Sequence, residues 1–207
     1  MRNGKRILSV SIRQILDESP DTSWIGEYSS SPDRLFAIDR NHSEDCPRFW
    51  PNEDIPEDTP ECDCAPVPSR ELDYFNPGSV ESFKLDASWI PAEITDAAER
   101  KTYWDKAMRQ NARQDYERME ELNNGYFHFV GVRAEAQIAI DTATRGVATL
   151  QTVSSPGLWG IESDSENSYL NEVEQDELSN LRHDLVALGF SKRAISAAFK
   201  NVEHKEE

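Results

Sequence analysis

A chain of 207 residues with 37% hydrophobic and 29% charged residues can bury a core of domain size while keeping a large solvated surface. Its 39 acidic residues against 22 basic ones leave a net charge of −17, which repels phosphate backbones and disfavours direct nucleic-acid binding, while a basic partner surface would be attracted. No apolar run approaches the roughly 18 residues of a membrane span, MRNGKR is followed only by the short ILSVSI, and three cysteines are an odd set for a disulfide framework, so an intracellular protein without a membrane partner is expected.

Taken in order, Lys5 to Ile15 is apolar enough for a first strand. Asp21 to Arg40 sets Trp24, Ile25, Tyr28, Leu35, Phe36 and Ile38 between turn residues, as two short pieces covering a sheet. Residues 41–77 then change character, rich in proline and carboxylates and almost without aliphatics. A stretch of that kind makes neither a regular helix nor a central strand and cannot offset its own ordering entropy by burial. It reads as an excursion that is either partly disordered or held by something other than hydrophobic contact.

A long helix is predicted over about 96–124. Asp96 and Glu99 have capping-box spacing, Gly125 supplies the stop, and Ala97, Trp104, Met108, Ala112, Tyr116, Met119 and Leu122 fall on one 3.6-residue stripe. From Tyr126 the period changes to two. Tyr126, His128, Val130, Val132, Ala134, Ala136, Ile138 and Ile140 share one face expected to be buried, Asp141 to Gly146 carries turn residues, and Val147 to Val153 alternates again, predicting a β-hairpin over 126–154. Leu170, Val173, Leu178, Leu181, Leu185 and Leu188 are spaced as a helix ending at Gly189, and Ser191 can cap a last short helix, giving a C-terminal helical hairpin. The expected fold class is α+β: a small antiparallel sheet packed by the long helix and the helical hairpin, in a single domain over 1–207 with the excursion at about 41–77.

Three constellations carry candidate chemistry. His42, Cys46, Cys62 and Cys64 are four borderline-soft N and S donors, the number a tetrahedral zinc takes, include every cysteine of the chain, and lie in the stretch most in need of a clamp. The alternative is free thiols with no metal or other cofactor. Second, Glu44 to Asp73 holds ten carboxylates against two arginines and Glu162 to Glu177 seven with no basic residue. Carboxylates along a surface can imitate a phosphate ladder and occupy a basic groove; the plainer alternative is a solvated face with charge at a helix N-terminus. Trp159, Glu162, Asp164, Glu166, Glu172, Glu174, Asp176 and Glu177 are the partner-binding candidates. Third, Glu162 and Asp164 alternate after GLWGI and, with His128, would suit a cation-dependent enzyme, whereas a tight corner in which Trp159 closes the core needs no chemistry. The chain has no GxSxG, no phosphate-cradling glycine loop and no HExxH, so no catalytic residue is assigned and a non-enzymatic role is expected.

At GLWGIESDSENSYLNEVEQDELSNLRHDLVALGF, together with SWIGEYS and YFNPGSVESF, the chain resembles small uncharacterised acidic proteins carried by bacteriophages, prophages and plasmids. The likeness spans most of the chain and implies an accessory protein of a mobile element, in the bacterial host cytoplasm; apart from the resemblance, either a monomer or a homodimer through an apolar sheet face is expected. The resemblance points to inhibition of a host defence or nucleic-acid-processing complex through the acidic surface, the partner being a basic surface of a nucleic-acid-binding or nuclease complex. A zinc-stabilised adaptor stands as the alternative, and a divalent-cation-dependent enzyme as a third.

Overall fold

The computed structural model describes residues 4–52, 62, 64, 72–79, 90–144 and 146–206; of the proline- and acid-rich stretch, residues 53–61, 63 and 65–71 lie outside the described residues. The fold is α+β, with antiparallel pairing dominant and helices packed on sheet. Contacts gather the chain into two compact units, Met1–Pro20 with Phe127–Glu207, and Asp21–Tyr126. The helices and strands between the first strand and the hairpin therefore form their own packed body.

In the first unit, β1 (Lys5–Leu16) pairs antiparallel with β5 (Phe129–Asp141), which pairs on its other side with β6 (Ala148–Ser154) and, nearer its start, with β7 (Leu158–Glu162). A last strand, β8 (Val202–Glu206), lies parallel to β1, so the order is β6-β5-β1-β8 with β7 also on β5. The register puts Val10 opposite Ala136 and Ile12 opposite Ala134, which aligns the apolar alternation of both strands on one face. Over that face lie α2 (Asn167–Ala187) and α3 (Lys192–Ala198), contributing Val173, Leu178, Leu181, Leu185 and Ile195 to one core. The turn between them follows from Gly189, whose φ of +84° lets the Gly189 and Phe190 N–H groups return to Val186 and Leu185 while Phe190 enters the core. Ser191 then accepts the Ala194 N–H and starts α3.

The hairpin stands where alternation placed it, but its first residues differ. Tyr126 is 79% exposed and His128 is exposed, because the ladder begins only at Phe129; the buried face runs from Val130. The opposite face carries Arg133, Glu135 and Gln137, yet Glu135 is buried, held by Arg13 Nη1 at 3.1 Å and Arg133 Nη2 at 2.6 Å. GLWGI is a strand rather than a corner. Trp159 does not close the core: it is 45% exposed and its ring lies over Gly131, where a Cβ would collide with it.

In the second unit, β2 (Gly26–Ser29), β4 (Tyr74–Pro77) and β3 (Ile38–Asp39) form a small antiparallel sheet in the order β2-β4-β3. The long helix α1 (Ala97–Asn123) packs on β2 and β4. Its start is fixed by Asp96, which accepts the Ala98 and Glu99 N–H groups, and its end by Gly125 at φ +73°. The apolar stripe of α1 serves this sheet, burying Met108, Ala112 and Met119, while the hairpin sheet takes its cover from α2 and α3. Phe75 of β4 is fully buried with its ring 5.6 Å from Tyr28 and 5.4 Å from Tyr116. Next to it the Tyr28 hydroxyl donates to Glu120 at 2.7 Å, Arg40 donates to the same carboxylate at 2.8 Å, and the Arg40 guanidinium lies 3.8 Å from the Tyr28 ring centroid. Among the described residues no helix is long and apolar enough to cross a membrane.

Candidate metal centre

The short strand β3 delivers the chain into the site. Asp39 accepts the Asn41 N–H on its carboxylate at 2.9 Å and the His42 N–H on its carbonyl at 3.2 Å, so the backbone reverses and His42 is presented from a turn. A second reversal follows, in which the Cys46 N–H donates to the Ser43 carbonyl at 2.9 Å and Cys46 opens a single 3-10 turn, Pro47–Phe49. Pro47 suits that position because its missing N–H is not needed at the start of a helical turn. Phe49 and Trp50 beyond it are buried and stack edge to face, 5.0 Å between centroids, giving the Cys46 side of the loop an apolar backing.

Cys62 and Cys64 come from the far side of the excursion and meet these residues. The four donor atoms of His42, Cys46, Cys62 and Cys64 all lie within 4.8 Å of one another. His42 Nδ1 is 3.5 Å from Cys46 Sγ and 3.3 Å from Cys62 Sγ. Metal bonds of about 2.0 Å to nitrogen and about 2.3 Å to sulfur, at tetrahedral angles, require ligand-to-ligand edges of about 3.5 Å for N–S and about 3.8 Å for S–S. Both imidazole–thiol spacings therefore already match a tetrahedral edge, and the widest separation needs about 1 Å of side-chain adjustment.

The surroundings fit the same chemistry. His42 Nε2 lies 3.7 Å from Asp39 Oδ2, which orients the ring with Nδ1 toward the sulfurs, as a carboxylate behind a liganding histidine does. The Ser43 N–H and the His42 ring hold the Cys64 thiol down to about 6, so that it is largely thiolate at neutral pH, and the Ser43 hydroxyl adds a contact at 3.7 Å. Burial pushes the Cys46 thiol up, so it keeps its proton until something replaces it. All three cysteines are free thiols. What the site can do is take up one soft-to-borderline cation with four protein donors; with no donor position left for water, that arrangement holds structure rather than activating a nucleophile.

The acidic candidates divide. Glu166, Glu172, Asp176 and Asp164 are exposed and Glu162 is half-buried, but Glu174 and Glu177 turn into the fold. Glu177 accepts the Gly157 N–H at 2.9 Å and the Asn180 side-chain amide at 3.3 Å, anchoring the chain between β6 and β7. Glu174 lies 3.5 Å from His204 of β8. The His128 N–H donates to the Ser163 hydroxyl at 3.0 Å, and its carbonyl accepts the Ser163 N–H at 2.8 Å. Among the described residues, the His42–Cys64 group is the only convergence of three or more His, Cys, Asp or Glu side chains at metal-holding distance, and it excludes Glu162, Asp164 and His128. Asp39 and Ser43, which orient the donors, are not marked by any motif; the one available signal is the three-residue step from Asp39 to His42.

No family model, curated protein or solved structure matches the chain.

Proposed function

We propose that the protein is a non-enzymatic adaptor whose recognition loop is clamped by one structural zinc ion on His42, Cys46, Cys62 and Cys64. The observation that carries this is the convergence of the four donor atoms within 4.8 Å from two separate stretches of a segment with little apolar surface. Zinc matches an NS₃ donor set better than calcium or magnesium, which take oxygen ligands. Ordering such a loop costs on the order of 1–2 kcal/mol per residue in backbone entropy, which a metal can offset where apolar burial does not. A bacterial cytoplasm keeps thiols reduced and so available to the ion. Loading the chain with one equivalent of zinc and then adding a high-affinity chelator tests the clamp: melting temperature should rise with metal and fall on chelation. Equal melting curves with and without zinc would remove it.

A second reading is favoured by the exposed Trp159 on β7, followed by exposed Glu166 at the start of α2 and exposed Glu172 and Asp176 on its first half. These side chains would bind the basic surface of a host nucleic-acid-binding or nuclease complex, in keeping with the resemblance to proteins of mobile elements. Because Glu174 and Glu177 are committed inward, the variant that tests it is Glu166→Gln, Glu172→Gln and Asp176→Asn together. Loss of salt-sensitive retention of such a complex supports the acidic surface, and unchanged retention ends it.

A further inference from the structure

We infer that two copies of the chain join along β6, each strand pairing antiparallel with its counterpart about Gln151, a contact that goes beyond the zinc clamp and the acidic surface. Among the described strands β6 is bonded to β5 alone, so it forms an edge of the first sheet. Its ladder fixes which backbone groups are left over. The Thr142 N–H donates to the Val147 carbonyl and the Ser155 N–H to the Ala134 carbonyl, each at 2.9 Å. Hydrogen-bonded and non-bonded pairs alternate along an antiparallel ladder, so in the unbroken register between these ends Thr149, Gln151 and Val153 direct N–H and C=O toward β5. Ala148, Leu150, Thr152 and Ser154 turn theirs outward, and among the described residues no group bonds to them.

Sheet edges are normally blunted by charge, proline, a bulge or short length. The other described edges follow that rule. β8 carries Glu203, His204, Lys205 and Glu206, β2 carries Glu27, β3 is two residues long with Asp39, and β7 ends in Glu162 after a register slip against β5. β6 has none of these devices: it is seven residues, ATLQTVS, within a run from Gly146 to Ile161 that contains no Asp, Glu, Lys or Arg. On a chain of net charge −17, such a run gives a basic partner nothing to read and lets a second copy approach without opposed charges. The strand also fits itself. Antiparallel pairing about Gln151 sets Leu150 opposite Thr152 and Ala148 opposite Ser154 of the other copy, so every outward N–H and C=O gains a partner under two-fold symmetry. Thr149 then meets Val153, a pair of β-branched side chains, and Gln151 meets Gln151 on the axis, where an amide both donates and accepts. Leu150, 64% exposed, gains Leu150 of the other copy as a diagonal neighbour.

The test is sedimentation equilibrium of the full chain up to about 1 mM, joined to residue-resolved amide exchange by nuclear magnetic resonance. Reducing conditions keep the thiols out of intermolecular disulfides. A monomer–dimer equilibrium is expected, strengthened by salt because salt screens the repulsion between two acidic chains. As the dimer fills, the Ala148, Leu150, Thr152 and Ser154 amides should pass from rapid to slow exchange, while those of Thr149, Gln151 and Val153 are slow throughout. Leu150→Lys, which sets like charges across the axis, should weaken association at least about tenfold. Leu150→Pro removes an outward N–H, leaves the β5 ladder whole and should abolish association; if it fails to fold, Leu150→Lys and the exchange pattern decide. A chain still monomeric at about 1 mM, a dimer whose outward amides stay rapid, association that weakens with salt, or unchanged association of Leu150→Lys overturns the inference. So does a monomeric chain whose outward amides are protected only by an added uncharged Thr/Val peptide, which would make the edge a receptor for a foreign strand.

Discussion

Replacing Glu177 by alanine separates an acid that anchors the fold from one that is merely displayed. Its carboxylate, 6% exposed, accepts the Gly157 N–H and the Asn180 amide, so the substitution removes a charge-assisted bond and leaves a partly buried N–H without its acceptor. Hydrogen bonds to charged groups contribute about 1.5–3 kcal/mol, so a loss of about 2.5 kcal/mol is expected with the packing around the side chain included. For a chain of this length that corresponds to about 5–10 °C in melting temperature. Glu177→Gln keeps an acceptor for Gly157 and should lose about half as much, whereas Glu172→Ala on the exposed side of α2 should stay within about 0.5 kcal/mol. Urea titrations followed by far-ultraviolet circular dichroism and by tryptophan fluorescence would give the three midpoints. A Glu177→Ala effect no larger than that of Glu172→Ala would refute the anchoring role.

Other perturbations have directions fixed by the same structure. Leu181 is fully buried under the first sheet, and Leu181→Ala should cost about 3 kcal/mol in urea denaturation. Gly26 sits at φ +142° with the position of a Cβ 2.5 Å from the Asn76 carbonyl, so Gly26→Ala should destabilise the second unit, read as earlier proteolysis between β2 and α1. Asp115 accepts the Ser79 N–H at 2.9 Å, yet burial raises its carboxyl above 3.8. A raised acid favours the folded chain fully below the unfolded value and loses that advantage as pH rises through the folded one. The stability of the unmodified chain relative to Asp115→Asn should therefore fall as pH rises from about 4 to about 7, measured as the difference in urea midpoints. A difference that is flat or of opposite slope would contradict the burial argument.

Local rules wrote much of this fold into the chain. Period-two alternation marks β5 and β6, the Asp96 cap and Gly125 stop bound α1, and Gly189 with Ser191 marks the break between α2 and α3, since each depends on a few neighbouring residues. What α1 covers depends on contacts distant in sequence, and its Met and Tyr stripe fits any apolar sheet. The polar words VEHKE give no sign that they form β8, because a parallel edge strand is specified by its partner β1 rather than by its own pattern. The inward course of Glu174 and Glu177 is legible: they stand beside Val173, Leu178 and Leu181 on the stripe that α2 buries, and charge counting alone hides that. For the metal centre, donor type identifies all four side chains, while the pairing of two distant loops and the support from Asp39 and Ser43 emerge only with the turn geometry around β3.

The most direct measurement is native mass spectrometry of the full chain purified under reducing conditions, beside the Cys62→Ser variant. One zinc ion per chain, displaced on acidification as its ligands take up protons and absent from the variant, is the predicted result. A folded chain that carries no metal after exposure to equimolar zinc would contradict the clamp and leave the His42–Cys64 cluster as four neighbouring side chains without a shared ion.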